Sequence, residues 1–155
     1  MESLEEVRRR GPMAPESHVQ VRTGRLVMVH VGRLATVDDI ATLDARVFAS
    51  LRRTGPGAVI CADFRRATPL SPEISGIWAR SMRSVNGSIA RSGMLLDPLN
   101  TMFNLQLDRV VRCAGNPARR AFEDVEELVD WVAPGLTQRE QRGLRSILAE
   151  PELLR

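Results

Sequence analysis

The sequence contains no lysine and no tyrosine. The absence of lysine excludes a Schiff-base lysine and a P-loop lysine, and without tyrosine no phenol can act as acid or nucleophile. Cysteine and histidine occur twice each. Two cysteines without a Cys-x-x-Cys spacing cannot staple a disulfide scaffold. Cys61 and Cys113 both lie among apolar residues, so two buried, reduced thiols are expected, in a cytoplasmic protein. Neither His18 nor His30 has a neighbouring cysteine, and no spacing suits a zinc site. No metal and no cofactor is expected.

Long apolar runs are missing as well. The longest spans residues 26–31 and is interrupted by His30, far short of the ~18 residues that cross a bilayer. The first ten residues are acidic, then basic, and lack the apolar centre of a secretory signal. No Gly-x-Ser-x-Gly, His-Glu-x-x-His or glycine-rich phosphate loop occurs. His30, inside an apolar strand pattern, reads as a satisfied core or edge residue rather than a general base. The expectation is a protein that binds rather than catalyses.

All 22 basic residues are arginine; against 19 acids they leave a net charge of +3. The sequence pI of about 10.0 reflects how high arginine titrates more than any large excess of charge. The surplus is local. Between residues 78 and 120, Arg80, Arg83, Arg91, Arg109, Arg112, Arg119 and Arg120 face only two aspartates. Lined along one side of the fold, they would suit phosphate or an acidic protein. Nucleic acid is not expected, because stacking aromatics are scarce and no groove-reading helix is evident.

The 155 residues suit one domain. Residues 1–16, with Arg8-Arg9-Arg10 before Gly11-Pro12, read as a flexible tail. Alternation over His18-Val19-Gln20-Val21-Arg22 and the β-branched stretch 25–31 predict a hairpin turning at Thr23-Gly24. Thr36 with Asp39 forms a capping box for a helix that carries Ile40, Leu43, Val47, Phe48 and Leu51 on one face. Val59-Ile60-Cys61-Ala62-Asp63 is apolar on both faces, as a covered central strand is. Ser71-Pro72-Glu73 opens a second helix, with Ser at N-cap and Pro at N1; it turns Ile74, Ile77, Trp78, Met82 and Val85 inward. A fourth strand is expected at 90–96. A third helix is expected from Asp97-Pro98 to Ala114, with Leu99, Met102, Phe103, Val110 and Val111 supplying its apolar face. Arg119-Arg120-Ala121-Phe122 is a fifth strand. Capping boxes at Asp124/Glu127 and Thr137/Glu140 open two last helices, separated by Pro134-Gly135. The order is β-β-α-β-α-β-α-β-α-α. It predicts an α/β fold with a mixed, mostly parallel five-stranded sheet and crossover helices. The domain is expected over 17–133, with a C-terminal helical extension at 134–155.

This succession resembles the STAS domain, the fold of bacterial anti-sigma-factor antagonists, and the related STAS/SEC14-like group. The local likeness lies in the apolar strand ending in Asp63, the seven-residue loop and helix that follow, and the segment 120–128, Arg-Ala-Phe-Glu-Asp-Val-Glu-Glu-Leu. The resemblance implies a signalling module that docks a protein partner, a kinase or regulator, through the loop and helix start at 63–75. The residues concerned are Asp63, Arg65, Arg66, Thr68, Ser71, Glu73 and Ser75, with Arg65 and Arg66 giving charge-assisted contacts. Antagonists of the family carry an Asp-Ser-Ser-Gly-like motif whose serine is phosphorylated. Here Ser71-Pro72-Glu73-Ile74 stands in its place, with Pro72 or Glu73 at the acceptor position. Glu73 is then either a fixed mimic of the phosphate or an ordinary first-turn acid. Ser71 and Thr68 remain candidate acceptors, Ser71 also being a plain N-cap. The fold admits two other readings: a carrier of a small apolar ligand or lipid, with Met82, Met94, Met102, Phe103 and Trp78 around a cavity, and a structural homo-oligomer packed through helix 137–148.

Overall fold

The computed structural model describes residues 17–21 and 24–149. The expected tail at 1–16, Arg22 and Thr23 of the hairpin, and residues 150–155 lie outside the described residues. Five strands form one sheet: β1 (His18–Val21), β2 (Leu26–His30), β3 (Ala58–Asp63), β4 (Ile89–Leu95) and β5 (Arg119–Phe122). Their spatial order is the chain order, β1-β2-β3-β4-β5. β1 pairs antiparallel with β2, and every later pair is parallel.

That order dictates where the helices go. Parallel crossovers are right-handed, and each new strand here is added on the same side. The three crossover helices, α1 (Val37–Thr54), α2 (Pro72–Ser84) and α3 (Thr101–Ala114), therefore all land on one face. They bury Val27, Val29, Ile60, Ala62 and Met94 of the sheet with Ile40, Leu43, Trp78 and Phe103. The opposite face would stay bare without α4 (Val125–Val132) and α5 (Gln138–Ala149). Leu128, Val129, Val132, Leu144 and Leu148 cover Leu26, Met28, Val59, Cys61 and Leu95 there. β3, in the middle, is buried along its whole length, as its unbroken apolar sequence requires.

Local chemistry sets the boundaries. The Thr36 hydroxyl accepts from the Asp39 amide at 3.1 Å, and Asp39 returns the bond to the Thr36 amide at 3.0 Å. At Asp124 only the forward arm forms, the side chain accepting from the Glu126 and Glu127 amides. α4 rides close on β4 because residue 93 is glycine: a Cβ there would come within 3.1 Å of Leu128 and Val132.

The expected elements are found with four corrections. β4 begins at Ile89 and ends at Leu95, one residue earlier than expected at each end. α3 begins at Thr101 rather than Asp97. The Asp97 carboxylate accepts from the Leu99 amide at 2.9 Å, a local turn that competes with the helix. In consequence Leu99 and Met102, expected on the apolar face, are 88% and 61% exposed. Phe48 lies at the edge of the α1 face and is 40% exposed. Cys61 is buried as expected, but Cys113 is exposed, because the inward positions of α3 are Phe103, Leu107, Val110 and Ala114.

Candidate functional site

The segment 63–75 leaves the carboxyl end of β3, where open parallel sheets present their loops. Asp63 is buried and works internally. Its carboxylate accepts the Arg65 amide and Nε, each at 3.0 Å, and Arg65 Nη2 at 2.8 Å. This is a bidentate fork of the kind guanidinium and carboxylate form best. The same Nη2 also donates to the Leu148 carbonyl in the last turn of α5, at 3.1 Å. The hydrogen bond to Asp63 raises the Arg65 pKa above its ordinary value. His30 Nδ1 lies 3.8 Å from the same carboxylate, and the His30 ring stacks on His18 with centroids 4.4 Å apart. Arg65 is thus committed to Asp63 and α5, while Arg66 points to solvent.

The loop after Asp63 is pinned from below and from the side. Phe64 is buried against Trp78 and Phe103, both at 5.6 Å between ring centroids. Ala67 and Leu70 are buried. Gln106 of α3 both donates to the Leu70 carbonyl and accepts from its amide, each at 2.7 Å. Asn100 donates to the Ala67 carbonyl, also at 2.7 Å. These amides read the loop as a neighbouring strand would. Ser71 is the N-cap of α2, its hydroxyl accepting from the Ile74 amide at 3.2 Å. Ser71 and Glu73 are exposed, and Thr68 and Ser75 half-buried. Of the seven expected residues, then, Arg66, Ser71 and Glu73 stand fully on the surface, and Asp63 lies beneath it.

Three residues beside this loop were not anticipated as surface. Leu99, Met102 and Leu105 are 88%, 61% and 68% exposed. Met102 sits one turn before Gln106, on the side of α3 that holds the loop. The signal was present in the sequence: α3 carries one complete buried stripe, 103-107-110-114, and Met102 and Leu105 are apolar residues left over from it.

The arginines of 78–120 do not form the single patch expected of them along one side of the fold. Arg91 lies over the Trp131 ring at 5.0 Å, on the face covered by α4. Arg119 points inward and is only 8% exposed. Arg80, Arg83, Arg109 and Arg112 remain exposed on α2 and α3, with Arg112 paired to Asp108 at 2.9 Å. Of the residues expected around a cavity, Trp78, Met82 and Met94 do line one, of about 70 Å³, between the sheet, α1 and α2. Met102 is on the surface, and Phe103 packs in the adjoining core. Among the described residues no group of three or more His, Cys, Asp or Glu could hold a metal ion. Among them, too, no helix is long and apolar enough to cross a membrane.

No family model and no curated protein matches the sequence. An uncharacterised protein of Shewanella loihica PV-4, from the DUF3478 family and described as having a SpoIIAA-like fold, superposes with a TM-score of 0.57 at 13% identity, over 78% of this chain and 96% of its own. The fold is SpoIIAA-like. The anti-sigma-factor antagonist SpoIIAA in its unphosphorylated form matches over 77% of this chain and 99% of its own, at 18% identity and a TM-score of 0.46.

Proposed function

We propose that this chain is a non-catalytic, cytoplasmic signalling module that docks a protein partner through the loop and helix start at 63–75, with the adjoining turn of α3. The observation that carries the reading is the pairing of a rigid loop with exposed apolar side chains. Asn100 and Gln106 hold the loop backbone in place, while Leu99, Met102 and Leu105 stand in solvent beside it. Contiguous exposed apolar groups at a preorganised surface are what protein interfaces are made from. Arg66, Arg80 and Arg109 around them favour an acidic partner and would steer its approach. Ser71 and Thr68 are the acceptors through which a kinase would regulate the contact. A phosphate on Ser71 would sit at the positive end of α2.

The test is affinity capture by wild-type protein and by a Met102→Asp/Leu105→Asp variant, with the recovered partner identified and its affinity measured on purified components. Both positions are exposed, so the variant should fold with an unchanged melting temperature. The expected result is loss of a specific partner. Recovery of every partner at the same affinity by both forms would remove the proposal.

A further inference from the structure

The outer faces of α2 and α3 carry one pattern. On α3 the exposed residues Met102, Leu105, Arg109 and Arg112 follow at intervals of three, four and three; on α2 the exposed Glu73, Gly76, Arg80 and Arg83 do the same. Residues so spaced form one stripe along a helix. As crossovers of a parallel sheet the two helices run the same way, and their ends are level: Arg83 donates to the Cys113 carbonyl and Asn86 to the Ala114 carbonyl. Four arginines therefore gather over the C-terminal halves of the pair. Arg112 lies 2.9 Å from Asp108, with side chains 79% and 55% exposed, and a surface pair of that kind yields to another carboxylate at little cost. The other end bears the exposed apolar side chains of Leu99, Met102 and Leu105, and there Glu73 offsets Arg66. Gly76 adds a second observation. Glycine weakens a helix interior, and the packing of the fold does not ask for it: a Cβ there would meet an Arg80 nitrogen at 3.9 Å and nothing nearer. It leaves a low point on the α2 stripe where another chain can come close.

We propose that the α2–α3 face docks an amphipathic helix of a partner protein, laid antiparallel to α3. Carboxylates in its first two turns meet Arg80, Arg83, Arg109 and Arg112, and apolar side chains in its last two turns cover Leu99, Met102 and Leu105. This names the partner's chemistry at the docking surface and rests on that reading. A helix suits the face because two packed helices offer no free backbone edge to an extended peptide, whereas a third helix satisfies its own backbone and packs its side chains between theirs. The polarity follows from charge. Acids are favoured in a helix's first turns, so a helix that opens acidic and ends apolar matches this face only when it runs against α3. A second copy of the chain does not supply such a helix among its described elements. There α1, α2 and α3 end in arginine, and α5 opens with Gln138-Arg139. Only α4 opens acidic and ends apolar, and its Leu128, Val129 and Val132 are buried in its own core.

The probe is a helical peptide of about 16 residues, long enough for four turns. It carries glutamates on one face of its first two turns and leucines on the same face of its last two. Its binding to the full chain is followed by fluorescence anisotropy. The peptide should bind saturably and weaken as salt rises. Arg109→Glu/Arg112→Glu, at two exposed positions, should weaken it at least tenfold. The same peptide with arginine in place of each glutamate should prefer that variant to the wild type. On the wild type, a nitroxide on the peptide's first residue should quench a fluorophore attached to Cys113, the exposed thiol beside the arginines, and a nitroxide on its last residue should not. No saturable binding at millimolar peptide, undiminished binding by the double variant, or quenching from the last residue instead of the first would each overturn the proposal. The binding and quenching criteria stand on the wild type even if the double variant does not fold. If the peptide fails while Met102→Asp/Leu105→Asp still loses its captured partner, the helix is removed and the docking surface stands.

Discussion

Glu140 holds the backbone amide of Arg25 from across the sequence, at 3.0 Å. The same carboxylate oxygen takes the Leu26 amide at 3.2 Å, and the other oxygen closes a capping box with Thr137. One side chain thus caps α5 and fastens it to the start of β2. The approach requires glycine at position 24, which has φ +86°; a Cβ there would come within 2.8 Å of the carboxylate. Glu140→Gln keeps one acceptor oxygen and loses the charge, so we expect a loss of about 1–3 kcal/mol in urea unfolding at pH 7, the range for hydrogen bonds to buried charged groups.

The same residue predicts an acid response. Burial pushes the Glu140 carboxyl up, but the hydrogen bonds from Thr137, Arg25 and Leu26 outweigh it and hold the pKa below the ordinary value. A depressed folded-state pKa contributes stability above the unfolded value, about 4.3, and that contribution is lost as pH falls through the folded value. Asp39 adds to the same window: burial raises its pKa, and the Ala35 and Thr36 hydrogen bonds bring it down. Unfolding free energy should therefore fall below about pH 4.3, and less steeply in Glu140→Gln. Parallel pH profiles for the two forms would refute this assignment.

Arg65→Met should loosen the end of α5 as well as the docking loop. It strips the buried Asp63 of its fork and frees the Leu148 carbonyl. Removing one partner of a fully buried pair costs ~3–5 kcal/mol. Arg65 is about a third exposed, so we expect roughly 1–3 kcal/mol after allowing for solvent screening. Hydrogen exchange should show faster exchange in the C-terminal turn of α5 and unchanged protection in α1.

Ser71→Ala removes the cap of α2, and an N-cap of this kind is worth about 1 kcal/mol. Ser71→Asp should restore it, because the aspartate both caps and favours the helix dipole. Glu73→Gln, at an exposed position, should change stability by less than about 0.5 kcal/mol. Thermal unfolding of the three variants checks the order. A large loss from Glu73→Gln would mean that this carboxylate has a partner within the fold.

The two thiols should react at very different rates. Cys113 is exposed, whereas burial pushes the Cys61 thiol up to about 12 and hides it from reagent. A disulfide reagent at pH 8 should titrate one thiol in the native protein and the second only after denaturant is added. Cys113→Ser should abolish the fast phase.

What the sequence disclosed tracks how local the deciding interaction is. The Thr36/Asp39 box, the Ser71 cap and the continuous apolar stretch at 58–62 depend on neighbours within a few residues, and each marked its element. The start of α3 was misplaced because Asp97-Pro98 has the look of a cap, while the Asp97 carboxylate instead ties up the Leu99 amide. From that shift follow the exposed Leu99 and Met102, and with them the apolar part of the candidate docking surface. The loop clamp joins Leu70 to Gln106, and Arg65 reaches Leu148; no periodicity announces contacts at such separations. Arg65 and Arg66 look equivalent in sequence and part company only in three dimensions, where the buried Asp63 claims the first.

The sheet is laid down in the order in which the chain is made, each strand docking beside the one before it. A ribosome emitting this chain would release β2, β3, β4 and β5 with their shared upper layer of helices already available. The underside has no such schedule. Leu26, Met28, Val59 and Cys61 stay uncovered until α4 and α5 have been synthesised, a span of roughly ten seconds at about 5–20 residues per second. The cost of strictly sequential topology is a half-covered nascent sheet, and the last helix, held by Glu140 and Arg65, ends that exposure.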